Sequence, residues 1–334
     1  MRAEYFKYLL QFKRPGGTSR GVLSEKETFI LEILENDRKG TGECAVFRGL
    51  SFDDRPDYEE KLQWLCENIQ DDAGFLKKEL KEFPSIWFGY EQAMRNLKYG
   101  SNLYFPSEFT DGQFPIIING LIWMGDADYM EEQIQDKLDQ GFHCIKLKIG
   151  VNWKSEHEIL QKLRAKFSKE KLELRVDANG GFNTGEAKIV LQQLADLHIH
   201  SIEQPIKSGN WDDMAELCAY TPTPVALDEE LIGITDYNEK ERLLEAIKPQ
   251  YIILKPALVG GFSGSDEWIS LAEKQNINWW ITSALESNIG LNAIAQYTYT
   301  KKSKMPQGLG TGGLFTNNFD NHLDLRGERL LFKA

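Results

Sequence analysis

The sequence predicts an α/β protein: a (β/α)7β barrel of the TIM type, preceded by a smaller α+β domain. Three observations carry this. Six short apolar runs, each ending in a polar group, recur through the second half: Cys144–Lys148, Leu174–Asn179, Ser201–Glu203, Ala226–Glu229, Ile252–Lys255 and Ile281–Ser283. Steps of 29, 26, 25, 27 and 28 residues separate Lys148, Asp177, Glu203, Asp228, Lys255 and Ser283. Each step has room for one strand and one helix. The chain of 334 residues holds one barrel of about 250 residues and a smaller domain besides.

The first part of the chain has a different grammar. Glu4 to Phe12 and Arg20 to Glu35 alternate as strands, Asp37–Gly42 reads as a turn, and Glu43 to Phe47 returns as a third antiparallel strand. Helical spacing follows at Tyr58–Ile69, Ala73–Glu82 and Ser85–Lys98. Strands first and helices after define an α+β unit over residues 1–112. From residue 113 strand and helix alternate. Pro115–Met124 reads as a buried strand, and Asp126 as the N-cap of a helix stopped by Gly141. Helices are expected at Trp153–Phe167, Thr184–Leu197, Trp211–Ala219, Thr235–Ile247, Ser265–Gln275 and Ser287–Thr300. With Gln307–Gly312 as the last strand, residues 113–313 make eight strands and seven helices. Residues 314–334 are too irregular for an eighth helix and are expected to return to the first domain.

Composition narrows the partners. A net charge of −12 and the lack of a Lys/Arg-rich block argue against nucleic acid. The longest apolar stretch, Phe114 to Met124, is broken by Pro115, Asn119 and Gly120 and is too short for a bilayer. The N-terminus shows no secretory signal, and four dispersed cysteines form no C-x-x-C pair. A reduced, cytoplasmic protein that acts on a small molecule is the expectation, with its oligomeric state open.

In a barrel the strand ends face one mouth. Asp177, Glu203 and Asp228 therefore converge, and three carboxylates without a thiol or a placed imidazole suit a hard divalent cation, Mg²⁺ foremost, with Mn²⁺ as its substitute. Their alternative is to cap helices or to pair with lysines at the rim. Lys146 and Lys148 share a face of one strand and point inward; Lys255 ends a strand across the acids. Inward lysines either pair with acid or work as bases, which a neighbouring cation favours. For Lys146 an ion pair and a working role are equally open. The glycines of Gly308-Leu-Gly310-Thr-Gly-Gly313 match a dinucleotide motif literally, but no strand–helix–strand unit follows. Their backbone N–H groups suit a substrate carboxylate instead. Arg14 and Arg20 flank a polar, glycine-containing loop that is either a lid with an anion-binding arginine or a plain hairpin connection.

Lys146-x-Lys148, Asp177-Ala-Asn179, Glu203-Gln-Pro, Asp228-Glu229 and Lys255-Pro, in this order, resemble the enolase superfamily in its muconate-lactonising subgroup. The resemblance covers essentially the whole chain. It implies a (β/α)7β barrel with an N-terminal α+β capping domain, and Mg²⁺-assisted proton removal beside a carboxylate. Lys148 and Lys255 would be catalytic, and Asp177, Glu203 and Asp228 would hold the metal. Within the subgroup, Arg175, the run Ser283-Ala-Leu-Glu286-Ser, Gly308-Leu-Gly310-Thr and the Arg14–Arg20 loop resemble the menaquinone-pathway branch. That branch implies a hydro-lyase: syn-dehydration of a cyclohexadiene carboxylate with a ring hydroxyl and a succinyl tail. Lys146, Arg175, Asn179, Glu229, Ser283, Glu286, Gly308, Gly310, Arg14 and Arg20 would orient the reacting groups or bind substrate. Dipeptide epimerases carry an acidic pair after the last strand, and this chain has no acid from Gln307 to Phe319. N-acylamino-acid racemases and cycloisomerases remain alternatives, as does a catalytically silent metal-binding barrel. Glu230 departs from the small hydroxyl residue common in the family.

Overall fold

A computed structural model describes residues 1–18, 21–123 and 127–333. Strands β1 (Arg2–Thr18), β2 (Gly21–Glu35) and β3 (Arg38–Cys44) form an antiparallel sheet in that order. Helices α1 (Tyr58–Glu67), α2 (Ala73–Glu79) and α3 (Pro84–Tyr99) follow. The third strand lies earlier than Glu43–Phe47, because Asn36 and Asp37 alone make the turn, Asn36 at φ 54°. Gly40 and Gly42, expected in the turn, are strand residues that admit α3. A Cβ on Gly40 would stand 2.1 Å from the Ala93 carbonyl oxygen, and one on Gly42 2.0 Å from that of Gly89. Only glycine lets a helix backbone approach a strand so closely.

The second part begins with β4 (Ile116–Ile117) and β5 (Gly120–Ile122). It continues as α4 (Ala127–Asp139), β6 (Cys144–Lys148), α5 (Trp153–Lys166), β7 (Glu173–Asp177) and α6 (Thr184–Asp196). Next come β8 (Ser201–Glu203), α7 (Trp211–Tyr220), β9 (Val225–Leu227), α8 (Tyr237–Ile247) and β10 (Tyr251–Leu254). The series ends with α9 (Gly261–Lys274), β11 (Asn278–Ile281) and α10 (Asn288–Thr300), before the strands β12 (Leu323–Arg326) and β13 (Arg329–Phe332). Strands β5 to β11 pair in parallel in sequence order. Gln307 and Gly308 close the ring as single bridges to Ile118 and Thr282, so the eighth strand is shorter than the expected Gln307–Gly312. This is the (β/α)7β barrel. Helices α5, α6, α7, α8 and α10 begin at Asn152, Asn183, Asn210, Asp236 and Ser287, whose side chains accept first-turn N–H groups. The expected cap Asp126 lies outside the described residues.

The expected strand Pro115–Met124 is split at Asn119. Ile116–Ile117 pairs with β13, and only Gly120–Ile122 joins the barrel. The tail first meets the capping sheet: Lys13 N–H bonds the Leu314 carbonyl (2.8 Å) and Thr316 N–H that of Gln11 (2.9 Å). It then doubles back as the β12–β13 hairpin onto β4. Barrel strands are apolar toward the helices, through Ile145, Leu147, Leu174, Val176 and Ile202, all within one core cluster. The alternate face points Lys146, Lys148, Arg175 and Asp177 inward. No helix of the described residues is long and apolar enough to cross a membrane.

Candidate active site

Register puts the chemistry in one place. Lys148 pairs with Asp177 and Asp177 with Glu203 on adjacent parallel strands; Asp228 and Lys255 each follow the last residue of the strands β9 and β10. All three acids are buried: Asp177 is 0 %, Glu203 1 % and Asp228 2 % exposed. Such burial requires partners, and lysines supply them. Lys146 Nζ donates to Glu203 Oε2 at 2.5 Å and to Asp177 Oδ2 at 3.3 Å. Lys148 Nζ donates to Asp177 Oδ2 at 2.6 Å and Asn179 Oδ1 at 2.5 Å. Lys255 Nζ donates to Asp228 Oδ2. Asn179 Nδ2 in turn bonds Glu229 Oε1 at 2.9 Å, from a left-handed backbone at φ 45°.

These contacts set the ionisation. Burial pushes Asp177 up, but Lys148, then Lys146 and Lys255, hold it below the usual carboxylate range. Glu203 is driven well above its ordinary value by burial and by Asp177, with Lys146 opposing. Burial lowers Lys146, yet Glu203 and Asp177 push it up to about 12. Lys255 is likewise raised, against burial, by Asp228. Resting on a carboxylate thus favours the charged ammonium at both Lys146 and Lys255.

As the side chains stand, no three Asp, Glu, His or Cys residues among those described are arranged to hold a metal ion; the acids face lysines. The donor chemistry nevertheless fits one. The three strand-end groups are all oxygen donors, and Glu203 Oε1 is buried without a hydrogen-bond partner. Such a set suits a hard divalent cation.

A cleft opens over this cluster. Lys146, Lys148, Asp177, Asn179, Glu229 and Lys255 line its polar side, and Ser283, Thr311, Gly308 and Gly310 a second wall. Ser283 Oγ and Thr311 Oγ1 are 2.6 Å apart. Gly308 N–H is engaged by the Ile281 carbonyl at 2.8 Å, so this amide does not serve a ligand as its glycine had suggested. Phe47, Leu50, Leu121, Trp123 and Leu285 form an apolar side able to face a ring. Sequence reading missed Phe47 and Leu50, which carry no motif, and Asn119, whose polarity within an apolar run was the available signal.

Other expected residues lie elsewhere. Arg175 sits below the pocket, 1 % exposed, bonded to Glu173 Oε1 (2.7 Å) and the Pro306 carbonyl (2.9 Å), against the Trp280 ring. It fills the barrel and does not line the cleft. Glu286 is behind the wall and accepts from Ala284 N–H at 2.7 Å. Arg14 is exposed on β1, and Arg20 lies outside the described residues. Glu230 accepts from Gln204 Nε2 (2.9 Å) and Gly209 N–H (2.8 Å). It ties down the loop after Glu203, a task a small hydroxyl could not span.

A family model described as Enolase C-terminal domain-like matches residues 129–323. The o-succinylbenzoate synthase of Desulfotalea psychrophila (strain LSv54 / DSM 12343) is 42% identical, over 98% of each chain. The crystal structure of MenC from Desulfotalea psychrophila LSv54 superposes with a TM-score of 0.89, at 39% identity and 99% coverage of both chains. A substrate-liganded L-Ala-D/L-Glu epimerase from Bacillus subtilis shares the fold, with a TM-score of 0.84 at 19% identity, over 99% of this chain and 96% of that one. The chain belongs to the enolase superfamily.

Proposed function

We propose that the chain is a hydro-lyase that converts 2-succinyl-6-hydroxy-2,4-cyclohexadiene-1-carboxylate to o-succinylbenzoate and water, a step of menaquinone biosynthesis. The 42% identity to the Desulfotalea psychrophila o-succinylbenzoate synthase, over 98% of both chains, carries this reading. The cleft supports it, with amines on both flanks of the acids and an apolar side for a ring.

In this reading Lys148 removes the proton from the ring carbon that bears the carboxylate. The electron pair moves onto that carboxylate, where Lys255, on the far side of the acids, meets the developing charge. The pair then returns, the ring C–O bond breaks, and Lys148 gives its proton to the departing hydroxyl. Water leaves, the ring becomes aromatic and Lys148 regains its free amine. Asp177, Glu203 and Asp228 would hold Mg²⁺, or Mn²⁺ in its place, which supplies a Lewis acid at the substrate carboxylate. Asn179, bonded to both Lys148 and Glu229, orients the base. Lys146 remains with Glu203 as its charge partner. Ser283, Thr311 and Gly310 receive the succinyl carboxylate.

The same reading treats residues 1–112 as the cap, 113–313 as the barrel and 314–334 as the returning tail. It sets the enzyme in the cytoplasm, in keeping with four cysteines free of disulfides. Its test is the ultraviolet absorbance of protein mixed with the diene and Mg²⁺. Loss of the diene band, abolished by EDTA and with o-succinylbenzoate identified by mass, is expected. A folded, metal-loaded protein that leaves the band unchanged but exchanges the α-proton of an N-succinylamino acid with deuterium would be a racemase instead.

A further inference from the structure

The pocket wall contributed by residues 283–287 is held from outside the barrel. Glu43, wholly buried on β3 of the capping sheet, accepts four hydrogen bonds. Oε1 takes Thr28 Oγ1 (2.8 Å) and Ser287 N–H (3.0 Å); Oε2 takes Ser287 Oγ (2.6 Å) and Gly290 N–H (2.9 Å). The carboxylate thus sits on the first turn of α10, where unpaired N–H groups and the helix dipole favour a negative charge. That turn is shaped around it, since a Cβ on Gly290 would stand 2.7 Å from Glu43 Oε2. Lys26 is buried on β2 with no hydrogen-bond partner at Nζ, and burial lowers its pKa against the opposing charges of Glu43 and Glu286.

Two residues before Ser287 the backbone is strained: Leu285 has φ 62°, a left-handed conformation that a bulky side chain rarely adopts. Its side chain both lines the cleft and packs with Leu10 and Phe315 beneath the cap. Such strain persists only where the surroundings hold it. One end is fastened by the Ser283–Thr311 hydroxyl pair and the bond from Ala284 N–H to Glu286. The other is fastened by Glu43.

We infer that Glu43 is a positioning residue for the substrate pocket, holding the strained 283–287 wall, with Leu285 at its centre, against the barrel mouth. The capping domain therefore shapes the succinyl side of the site through Glu43, which does not itself line the cleft. The kinetic part of this inference rests on the proposed dehydration; the structural part does not.

Glu43→Gln keeps the size but presents an amide nitrogen, which cannot accept from a backbone N–H. Hydrogen exchange of the amides at 284–290 should accelerate about tenfold in the ligand-free variant, since bonds to a charged acceptor are broken. Unchanged exchange in a folded variant would overturn the inference even if the diene is not the substrate. With the diene, KM should rise about tenfold while kcat stays within about threefold. In a Leu285→Gly background the strain is gone, and Glu43→Gln should add less than about twofold to KM. Fully additive effects would refute the coupling. Thr28→Val, which deletes one of the four bonds and leaves the Ser287 cap of α10 in place, is the milder variant should Glu43→Gln fail to fold; it should shift exchange and KM the same way by about threefold.

Discussion

Closure of the barrel between β11 and the eighth strand depends on Gly308, and Gly308→Ala tests this directly. A Cβ there would stand 2.1 Å from Thr282 Oγ1 and 2.6 Å from Thr282 Cβ. Rotating Thr282 relieves the first clash but not the second, because Cβ does not move with χ1. The backbones must therefore part by roughly 1 Å to restore van der Waals contact. They are tied there by Gly308 N–H to the Ile281 carbonyl (2.8 Å) and Ser283 N–H to that of Gly308 (3.0 Å). Overpacking of this kind costs about 1–3 kcal/mol, and one weakened ladder bond about 1 kcal/mol more. The expected loss is about 2–4 kcal/mol, read from guanidinium unfolding by circular dichroism and tryptophan fluorescence. KM should rise as well, since Thr282 and Gly308 both line the cleft. Thr282→Gly removes both clashing atoms, so the double variant should be more stable than Gly308→Ala alone. Additive losses from the two substitutions would show that the close approach is not what requires glycine.

Lys148→Ala should lower turnover of the diene by about 10²–10⁴-fold or more, with an unchanged circular dichroism spectrum; appreciable residual activity would remove Lys148 as the base. Glu91, whose carboxylate accepts from Phe262 N–H (2.6 Å) and Ser263 N–H (3.2 Å) at the start of α9, is pushed by burial from 4.5 to about 7. The folded chain binds this proton more tightly than the unfolded one, so the contribution is present at low pH. It is lost as pH rises from about 4.5 through about 7, by about 3 kcal/mol. Glu91→Gln should flatten that part of the stability–pH curve, compared by unfolding midpoints at pH 5 and pH 8. Saturating Mg²⁺ at about 100 times its Kd should stabilise the fold by about 2.7 kcal/mol, and EDTA should reverse it. Asp177→Asn, tested the same way, should lose the response.

The near-constant step between Lys148, Asp177, Glu203, Asp228, Lys255 and Ser283 was enough to read a barrel and a shared mouth. Parallel strands in sequence order leave little freedom in where their ends go. The residue types at those ends made the chemistry legible as well. Arg175 shows where that reasoning stops. The period of two points it inward level with Lys146, but Lys146 reaches Asp177 and Glu203 and lines the cleft, whereas Arg175 turns to Glu173 and the Pro306 carbonyl under the pocket floor. Gly40 and Gly42 show the same limit, because glycine signals a turn or a close approach equally well, and only the α3 backbone decides between them. Phe47, Leu50, Asn119 and Trp123 reach the cleft from segments whose patterns record burial but not which cavity they face. The bonds from Glu43 to Ser287 join residues 244 positions apart. Local sequence determined each strand end and its chemical type; the docking of the cap on the barrel decided which carboxylate holds which loop, because that choice is made by packing between distant surfaces.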